Sequence, residues 1–563
     1  MAVDDTPPAA SSTAVLDPQH VGDIVGALGT VKQDEPNRPR SRRKRLRMLL
    51  VILGPGLIVM GGGNDAGGVQ VYAQMGQDYG MKLLWTLALL FPILYIAQEM
   101  VVRLGAVSGV GHARLIFDRF GKFWGAFSVI DLFIINAVTI VAEFIGVQQA
   151  LEYFGWPDTL SIVSAAVLLF VAMVGGSYRF WERFMVFLVV FNFITFPMAF
   201  LVHGSVGSSV GGVVPTFPGG LNAELLLLVV AIVGTTVEPW QLFFQQASVV
   251  DKRITPRWIR MSRIDLGAGI LIEAAGAVIL MFATAFGLAH TSAFGNFTDL
   301  NTTAHDLTHY VGHGVGALMA IAMLDGSLIG ANLVGLTTTY TLGDVFPKIR
   351  HSLHWKAKQA PIFYGIYAIL IGLGATVALS AGNTEIMGNI IDYVEALNGI
   401  LLPSAMVFLI LLANDKPVLG PWSNTPAQNI LGGLIAWVVT TFSLAPLITT
   451  FYPDVTLTQC LVVLAAATVV GLVLGIMLWR YRPSRNLPVT DAPEENRRPP
   501  GMDKATWRTT LDERRIAWRT PRLDTLPIPV MSPARRAGLL TLRGYLILSV
   551  IVLVVKLVQE GLG

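Results

Sequence analysis

Two acidic residues stand inside apolar stretches that are otherwise typical of membrane helices. Asp65 lies in the glycine cluster GGGNDAGG at 61–68, and Glu238 directly precedes Pro239. Glycine carries the largest entropic cost in a helix and proline lacks a backbone donor, so both helices are predicted to break here. A carboxylate inside a bilayer is costly unless it faces a cavity or binds something. We therefore expect cation binding by oxygen atoms; the alternative is a kinked helix whose Asp65 only contacts its neighbours.

The composition is that of a membrane protein. Of the 563 residues, 53% are hydrophobic and 14% are charged, and the mean hydropathy is +0.60. A soluble globular chain has fewer apolar residues and about a quarter charged ones. The formal charge of +3 is too small to suggest nucleic-acid binding. One cysteine, Cys460, excludes a disulfide framework and a thiolate metal site. We expect no signal peptide, because the N-terminal region is polar.

Apolar segments long enough to cross a bilayer recur along the chain. We predict twelve, with a thirteenth near 538–558, at roughly 47–75, 82–106, 123–153, 159–176, 180–203, 222–249, 264–289, 312–343, 360–381, 385–413, 428–450 and 457–479. Lysine and arginine are concentrated at 38–47, 252–263 and 348–358, whereas the loops predicted on the opposite side contain neither. The positive-inside rule then predicts a multi-pass protein of the cell membrane with a cytoplasmic N-terminus.

The two breaks occupy matching positions, in the first and the sixth predicted span. Interrupted helices at corresponding places in two halves of five helices are the best sequence indication of a transporter with inverted repeats. The site is then expected near the bilayer midplane, where Asp65 and Glu238 would assist open backbone carbonyls. A further acid, Glu395, lies in the tenth span, about two helical turns before Pro403.

This pattern divides the chain into six regions. The predicted regions are a disordered, basic, cytoplasmic N-terminus at 1–46, a first repeat at 47–203, a second repeat at 204–413, helices eleven and twelve at 414–480, a cytoplasmic Arg- and Pro-rich segment at 481–537 and an additional membrane helix at 538–563.

The two breaks together resemble the natural-resistance-associated macrophage protein (NRAMP) family of divalent metal transporters. That family has a Gly-Pro-Gly start, an Asp-Pro-Gly-Asn break in helix one and a Met-Pro-His break in helix six. The matching stretches, within about 47–413, are Gly54-Pro55-Gly56, Asp65-Ala66-Gly67-Gly68, Val141-Ala142-Glu143-Phe144-Ile145-Gly146, Glu238-Pro239-Trp240 and Glu395 before Pro403. The resemblance implies an all-α integral membrane protein with a LeuT-like five-plus-five inverted-repeat fold and about twelve or thirteen membrane helices.

Departures from the family pattern change the ligand chemistry. Glu238 replaces the family's methionine, Gly68 its asparagine and Glu395 its glutamine. Loss of sulfur and gain of carboxylates favour hard, oxygen-binding ions, as in the related magnesium transporters. The resemblance thus implies a secondary transporter that moves Mg²⁺ or Mn²⁺ by alternating access. The implied metal site is Asp65, Gly68, Thr235, Glu238 and Glu395.

The family's proton route is only partly present. Glu143 is retained on helix three, but Ile140 stands three positions before it, where the family has an aspartate. Trp240 replaces the histidine after the proline of helix six, and an indole cannot accept a proton. Glu143 and Trp240 are therefore candidates for a proton or gating pathway, and we expect proton coupling to be weak or absent.

Two other functions remain open at this point. The same architecture could carry a small organic solute, with Glu238 binding an amine and Na⁺ in the break. A non-transporting membrane sensor is the other alternative, although the tail after Tyr481 has no recognisable domain. We expect no enzyme, because no nucleophile and base are paired in the spans. We also expect no resident cofactor, since the cation is cargo, and the oligomeric state is left open.

Overall fold

The computed structural model describes residues 13–36, 41–175, 177–220, 222–380, 384–451 and 501–527, with scattered positions between 458 and 473 and between 529 and 547. The predicted spans at 457–479 and 538–558 lie outside the described residues, apart from those scattered positions.

The first half of the chain forms ten helices. These are α1 (Arg42–Ile52), α2 (Pro55–Gly61), α3 (Ala66–Tyr79), α4 (Leu84–Ser108), α5 (His112–Phe120), α6 (Lys122–Glu152), α7 (Asp158–Val174), α8 (Tyr178–Phe191), α9 (Phe196–Leu201) and α10 (Val206–Val210). A short β-hairpin, β1 (Ile24–Gly26) and β2 (Gly29–Val31), precedes them, with Ile24 opposite Val31.

The second half of the chain is also helical. Its helices are α11 (Ala223–Thr236), α12 (Pro239–Asp251), α13 (Ile259–Gly287), α14 (Leu300–Tyr310), α15 (His313–Val345), α16 (Pro361–Ser380), α17 (Thr384–Ala413), α18 (Lys416–Leu419), α19 (Pro426–Phe451) and α20 (Lys504–Ala517). Helix α13 packs along α2 and α3, and α11 packs along α17, so each broken helix lies against a long continuous one.

Nine helices in the described ranges are long and apolar enough to cross a membrane, or ten if the pair Arg42–Ile52 and Pro55–Asn64, bent by 50°, is one span. Every segment predicted up to residue 450 overlaps a helix or a broken pair. Two of the thirteen predicted spans lie outside the described residues, and a short 3₁₀ turn joins α3 to α4 into one long helical stretch, so α3 is not counted with the first span. Helix α7, at 17 residues, also falls just short of a span.

Asp265 on α13 explains why α2 begins where it does. Its carboxylate accepts hydrogen bonds from the backbone N–H groups of Gly54, Gly56 and Leu57 at 3.0, 2.7 and 3.1 Å. The first N–H groups of a helix have no partner within the helix, and a negative charge there also interacts favourably with the helix dipole. Gly54 has φ = 155°, a conformation that L-residues rarely adopt. The Gly-Pro-Gly motif is thus a turn held by Asp265.

Both predicted breaks are present. In the first, α2 passes into a 3₁₀ turn at Gly62–Asn64, and Asp65 is extended (φ −73°, ψ −167°) before α3 begins. In the second, α11 ends at Thr236 and Glu238 is extended (φ −90°, ψ 143°) before Pro239 opens α12. Proline suits the first position of a helix, where its missing N–H would be unpaired anyway.

The prediction that residues 1–46 are disordered is wrong for residues 13–36, and also for residues 41–46, where α1 begins. Asp17 accepts hydrogen bonds from the backbone N–H of His351 and from Trp355 Nε1, both at 3.1 Å. The Arg183 Nε donates to the Ala27 carbonyl at 2.8 Å, and the Arg253 Nε donates to the Gln19 carbonyl at 2.7 Å. The low apolar content indicated that the segment could not form its own core. Its polar groups instead form hydrogen bonds with α8 and with loops of the helical bundle.

Helix α20 lies within the segment predicted to be Arg- and Pro-rich. Asp503 caps it by accepting from the N–H groups of Ala505 and Thr506 at 2.8 and 3.0 Å. The indole Nε1 of Trp422 donates to the Arg515 carbonyl at 2.9 Å, which fastens the end of α20 to the turn before α19. We call the side of the bundle that carries residues 13–36, the start of α13 and α20 the basic face.

Candidate functional site

The two helix breaks face each other. The hydroxyls of Tyr72 on α3 and Thr236 on α11 are 3.3 Å apart. A Cβ atom added at Gly68 would stand 3.4 Å from the Thr235 Oγ1, and it would collide with the Gly63 carbonyl oxygen at 2.5 Å. Thr235 Oγ1 is buried and has no hydrogen-bond partner within the described ranges. The residues predicted on helices one and six are therefore brought together.

Asp65 is fully buried at the N-terminus of α3. Its Oδ1 accepts from the Gly68 N–H at 2.9 Å, which caps the helix. The carboxyl groups of Glu143 and Glu238 lie nearby. A carboxylate offers no donor, and Oδ2 has no hydrogen-bond partner among the described residues. Asp65 thus has one oxygen without a hydrogen-bond partner in the described ranges and has other acids nearby.

Glu143 reaches the first break from α6. Its Oε2 accepts from the Ala66 N–H at 3.1 Å, so it satisfies one of the unpaired donors at the start of α3. Gly330 on α15 allows this approach, because a Cβ there would run into the Glu143 carboxyl. Glu143 is therefore both a cap of the broken helix and a second acid beside Asp65.

Glu238 holds the corresponding position at the second break. It accepts hydrogen bonds from the indole Nε1 of Trp240 and, at 3.3 Å, from Gln241 Nε2. The negative charges of Asp65, Glu143 and Glu395 lie close enough to repel the charge of Glu238. Trp240, predicted as part of a proton or gating pathway, is here a buried donor that fixes the Glu238 carboxyl.

Glu395 completes the group from α17. Gly67 faces its carboxyl and Gly234 faces its backbone carbonyl so closely that a Cβ at either position would collide with it. Its Oε2 accepts from Asn398 Nδ2 at 3.3 Å. The glycines of both breaks thus let α17 come close, and Glu395 lies beside Thr235 and Asp65.

The site consists of four buried carboxyl groups. Within the described ranges, neither lysine nor arginine forms an ion pair with Asp65, Glu143, Glu238 or Glu395. In the same ranges, no three acidic, histidine or cysteine side chains are arranged to hold an ion by themselves. Neighbouring carboxylates in a low dielectric repel one another strongly. The arrangement suits a cation whose remaining ligands are hydroxyl, backbone or water oxygens.

Sequence reasoning did not assign several polar neighbours of the site. Gln70 Nε2 donates to Asp392 Oδ1 at 2.7 Å, linking α3 to α17. Asn398 and Gln241 bind the two glutamates of the site. The available signal was spacing, because Asn398 follows Glu395 and Gln241 follows Glu238 by three residues, which places each pair on one helix face.

Comparison with known proteins identifies the family. The sequence profile described as "Natural resistance-associated macrophage protein-like" matches residues 56–449. The chain is 25% identical over 410 residues to the divalent metal cation transporter MntH of Aeromonas hydrophila, covering 69% of this chain and 93% of that protein. It is likewise 25% identical over 410 residues to MntH of Levilactobacillus brevis, covering 70% and 88%.

A solved structure has the same fold. The manganese transporter of Eremococcus coleocola, crystallised with an aromatic bis-isothiourea compound, aligns with a TM-score of 0.60 at 19% identity, covering 82% of this chain and 98% of that one. The predicted all-α, LeuT-like five-plus-five fold with discontinuous helices one and six is therefore confirmed. With a family profile spanning most of its length, this multi-pass membrane chain belongs to the natural resistance-associated macrophage protein family.

Proposed function

We propose that this protein is a secondary transporter that moves a divalent metal cation across the membrane by alternating access. The observation that carries the proposal is the group of four buried carboxyl groups at two facing helix breaks, without a basic partner in the described ranges. Relatives of the family named as divalent metal cation transporters support it. We propose neither a catalytic role nor a resident cofactor, because the cation is cargo.

Asp65, Thr235, Glu238 and Glu395 are the proposed ligands, and Gly68, whose N–H donates to Asp65 Oδ1, lies beside them. All four side chains offer oxygen, and none offers sulfur or nitrogen. Oxygen donors suit hard ions such as Mn²⁺ and Mg²⁺. Manganese is the cation named for the structurally similar transporter, so Mn²⁺ is the first cargo to test. Mg²⁺, which releases its water reluctantly, is the second cargo to test.

We also propose that the basic face is cytoplasmic and that the protein resides in the cell membrane. The loops on this face contain most of the lysine and arginine that lies between spans, and the loops on the opposite face contain almost none. Basic loops are retained on the cytoplasmic side. Proteolysis of residues 13–36 in right-side-out and inverted vesicles tests the orientation, since only inverted vesicles should be cleaved.

Uptake into liposomes tests the proposed function. Purified protein should carry Mn²⁺ and Mg²⁺ into the vesicles, whereas Ca²⁺ and amino acids run in parallel define selectivity. Saturable uptake of an amino acid without cation uptake would instead support the organic-solute alternative. Absence of any uptake, with binding of ligand retained, would support a sensor.

The ligand chemistry predicts a selectivity change in Glu238→Met. The variant replaces a hard oxygen donor by a soft thioether and removes one negative charge from the site. We expect Cd²⁺ to compete about tenfold better against Mn²⁺ or Mg²⁺ than in the wild type. This factor corresponds to a shift of about 1.4 kcal/mol in relative binding free energy toward the softer ion. Competition curves measured in liposomes give the ratio. Unchanged relative curves would mean that Glu238 does not face the ion, and Glu224→Gln, on the exposed start of α11, serves as the control.

Proton coupling is expected to be weak or absent. A relay needs groups that accept and donate protons within hydrogen-bond or one-water reach. Ile140 cannot do so, and the Trp240 indole is a donor only and is already bonded to Glu238. A pH-sensitive dye trapped in the liposomes should show no acidification that follows Mn²⁺ uptake. Acidification in step with uptake would mean that the clustered carboxyl groups themselves carry protons.

A further inference from the structure

A basic cavity lies on the basic face, where α1, the start of α13 and α20 meet. Its volume is about 640 Å³. Six arginines line it, and the one acidic residue in its described lining is Asp512. The arginines are Arg42, Arg45, Arg257, Arg260, Arg263 and Arg515.

Half of these arginines already have partners. Arg263 pairs with Glu99, and Arg515 donates to the Pro421 carbonyl at 3.3 Å while lying 5.2 Å from the Trp422 ring centre. Arg257 donates to the Glu35 carbonyl at 3.1 Å. In contrast, the side chains of Arg42, Arg45 and Arg260 are exposed and form no ion pair or hydrogen bond within the described ranges. Three guanidinium groups are thus available to a ligand.

The positive charges that line the cavity come from separate parts of the chain. Burial lowers the pKa of the Arg515 guanidinium, Asp512 partly opposes this, and the nearby charge of Arg263 lowers it further. Positive groups confined together in a low-dielectric wall produce a strong positive potential, which attracts and concentrates anions. The expected ligand therefore carries negative charge, and the planar guanidinium groups suit a phosphate.

Apolar side chains lie beside the arginines. Leu46 and Ile264 line the cavity and are 57% and 44% exposed, and Trp258 and Trp422 also contribute to its wall. Leu46 and Ile264 belong to α1 and α13, helices that continue into predicted spans. Tryptophan and arginine commonly lie at the level where helices leave the bilayer. A soluble anion would leave these apolar side chains in water, whereas a lipid would cover them.

We propose that the cavity binds an anionic phospholipid, whose phosphate head group contacts Arg42, Arg45 and Arg260 and whose acyl chains cover Leu46 and Ile264. Basic pockets between membrane helices commonly bind such head groups. Because α20 forms one wall, the lipid would fasten α20 to the membrane domain. The occupant is thus a lipid of the leaflet that meets the basic face, and not a free phosphate.

Thermal unfolding of the full-length protein in neutral detergent tests the proposal. Phosphatidylglycerol should raise the melting temperature more than phosphatidylcholine at the same concentration, and the lipid concentration at half-maximal shift gives an apparent affinity. The test variant is Arg45→Gln with Arg260→Gln, and the matched control is Arg47→Gln with Arg508→Gln. The control arginines are exposed and lie on α1 and α20, outside the cavity lining.

The outcomes separate the possibilities. Each basic residue near an anionic surface contributes enough attraction that losing two should weaken the apparent affinity roughly ten- to thirtyfold. The control should bind as the wild type does, and both variants should melt like the wild type without lipid. Equal weakening in both variants would overturn the site, because general surface charge would explain it. Glycerol phosphate that protects as well as the lipid would overturn the lipid assignment, as would equal protection by phosphatidylcholine.

Discussion

Asp65→Asn is expected to abolish uptake of the divalent cation while the protein still folds. The asparagine keeps the size of the side chain and an oxygen that can accept from the Gly68 N–H, so the cap of α3 survives. The substitution removes the negative charge of the carboxylate, whose Oδ2 has no hydrogen-bond partner in the described ranges. Changes to groups that only support a metal ligand cost roughly 10–100-fold in affinity, so loss of a direct ligand should cost at least about a hundredfold. Initial rates of Mn²⁺ uptake in liposomes measure it.

Two further variants make this result interpretable. Asp65→Ala should also abolish uptake but should lower stability by about 1 kcal/mol, because it additionally removes the helix cap. Asp158→Asn, which removes an exposed carboxylate at the start of α7, should transport like the wild type. Uptake by Asp65→Asn at the rate of the wild type would exclude Asp65 as a ligand. Loss of uptake together with a much lower melting temperature would indicate a structural role.

The helix breaks and the acids at them could be predicted from the sequence. Glycine and proline determine local backbone behaviour, so GGGNDAGG and Glu238-Pro239 marked the interruptions without knowledge of the fold. Acids inside apolar runs are conspicuous because a bilayer makes them costly. Glu395 could be placed only through its distance from Pro403 in a resembling family. Whether these side chains bind an ion stays a prediction.

Contacts between distant segments could not be predicted. The bond from Gln70 to Asp392 joins residues 322 positions apart, and no local pattern indicates such a pair. The ordered segment 13–36 was missed for a related reason, because its hydrogen-bond partners, such as Arg183, Arg253 and His351, lie far along the chain. The composition of a segment indicates whether it can form its own core. It does not indicate whether the segment packs against another part of the chain, as residues 13–36 do.

Lys252→Met is expected to destabilise the protein by about 3–5 kcal/mol. Lys252, just after α12, forms a fully buried ion pair with Glu182 on α8, and its Nζ also donates to the Leu53 carbonyl at 2.6 Å. Removing the lysine leaves the glutamate charge buried without compensation, which is the costly way to break such a pair. Unfolding in a denaturant series, or the melting temperature in one detergent, measures the loss.

The double variant Glu182→Gln with Lys252→Met should recover much of that stability, because it removes both charges together. Lys358→Met, at an exposed lysine of the loop before α16, should change stability by less than about 0.5 kcal/mol.

The ion pair between Lys252 and Glu182 also connects the two broken helices, since Leu53 and Gly54 precede α2 and Lys252 follows α12. A Cβ at Gly54 would collide with both charged groups, so the turn is packed directly against them. Lys252→Met should therefore reduce Mn²⁺ uptake as well, although Lys252 is not a proposed ligand. If Lys252→Met proves as stable as Lys358→Met, the ion pair does not hold α2 and α12 together.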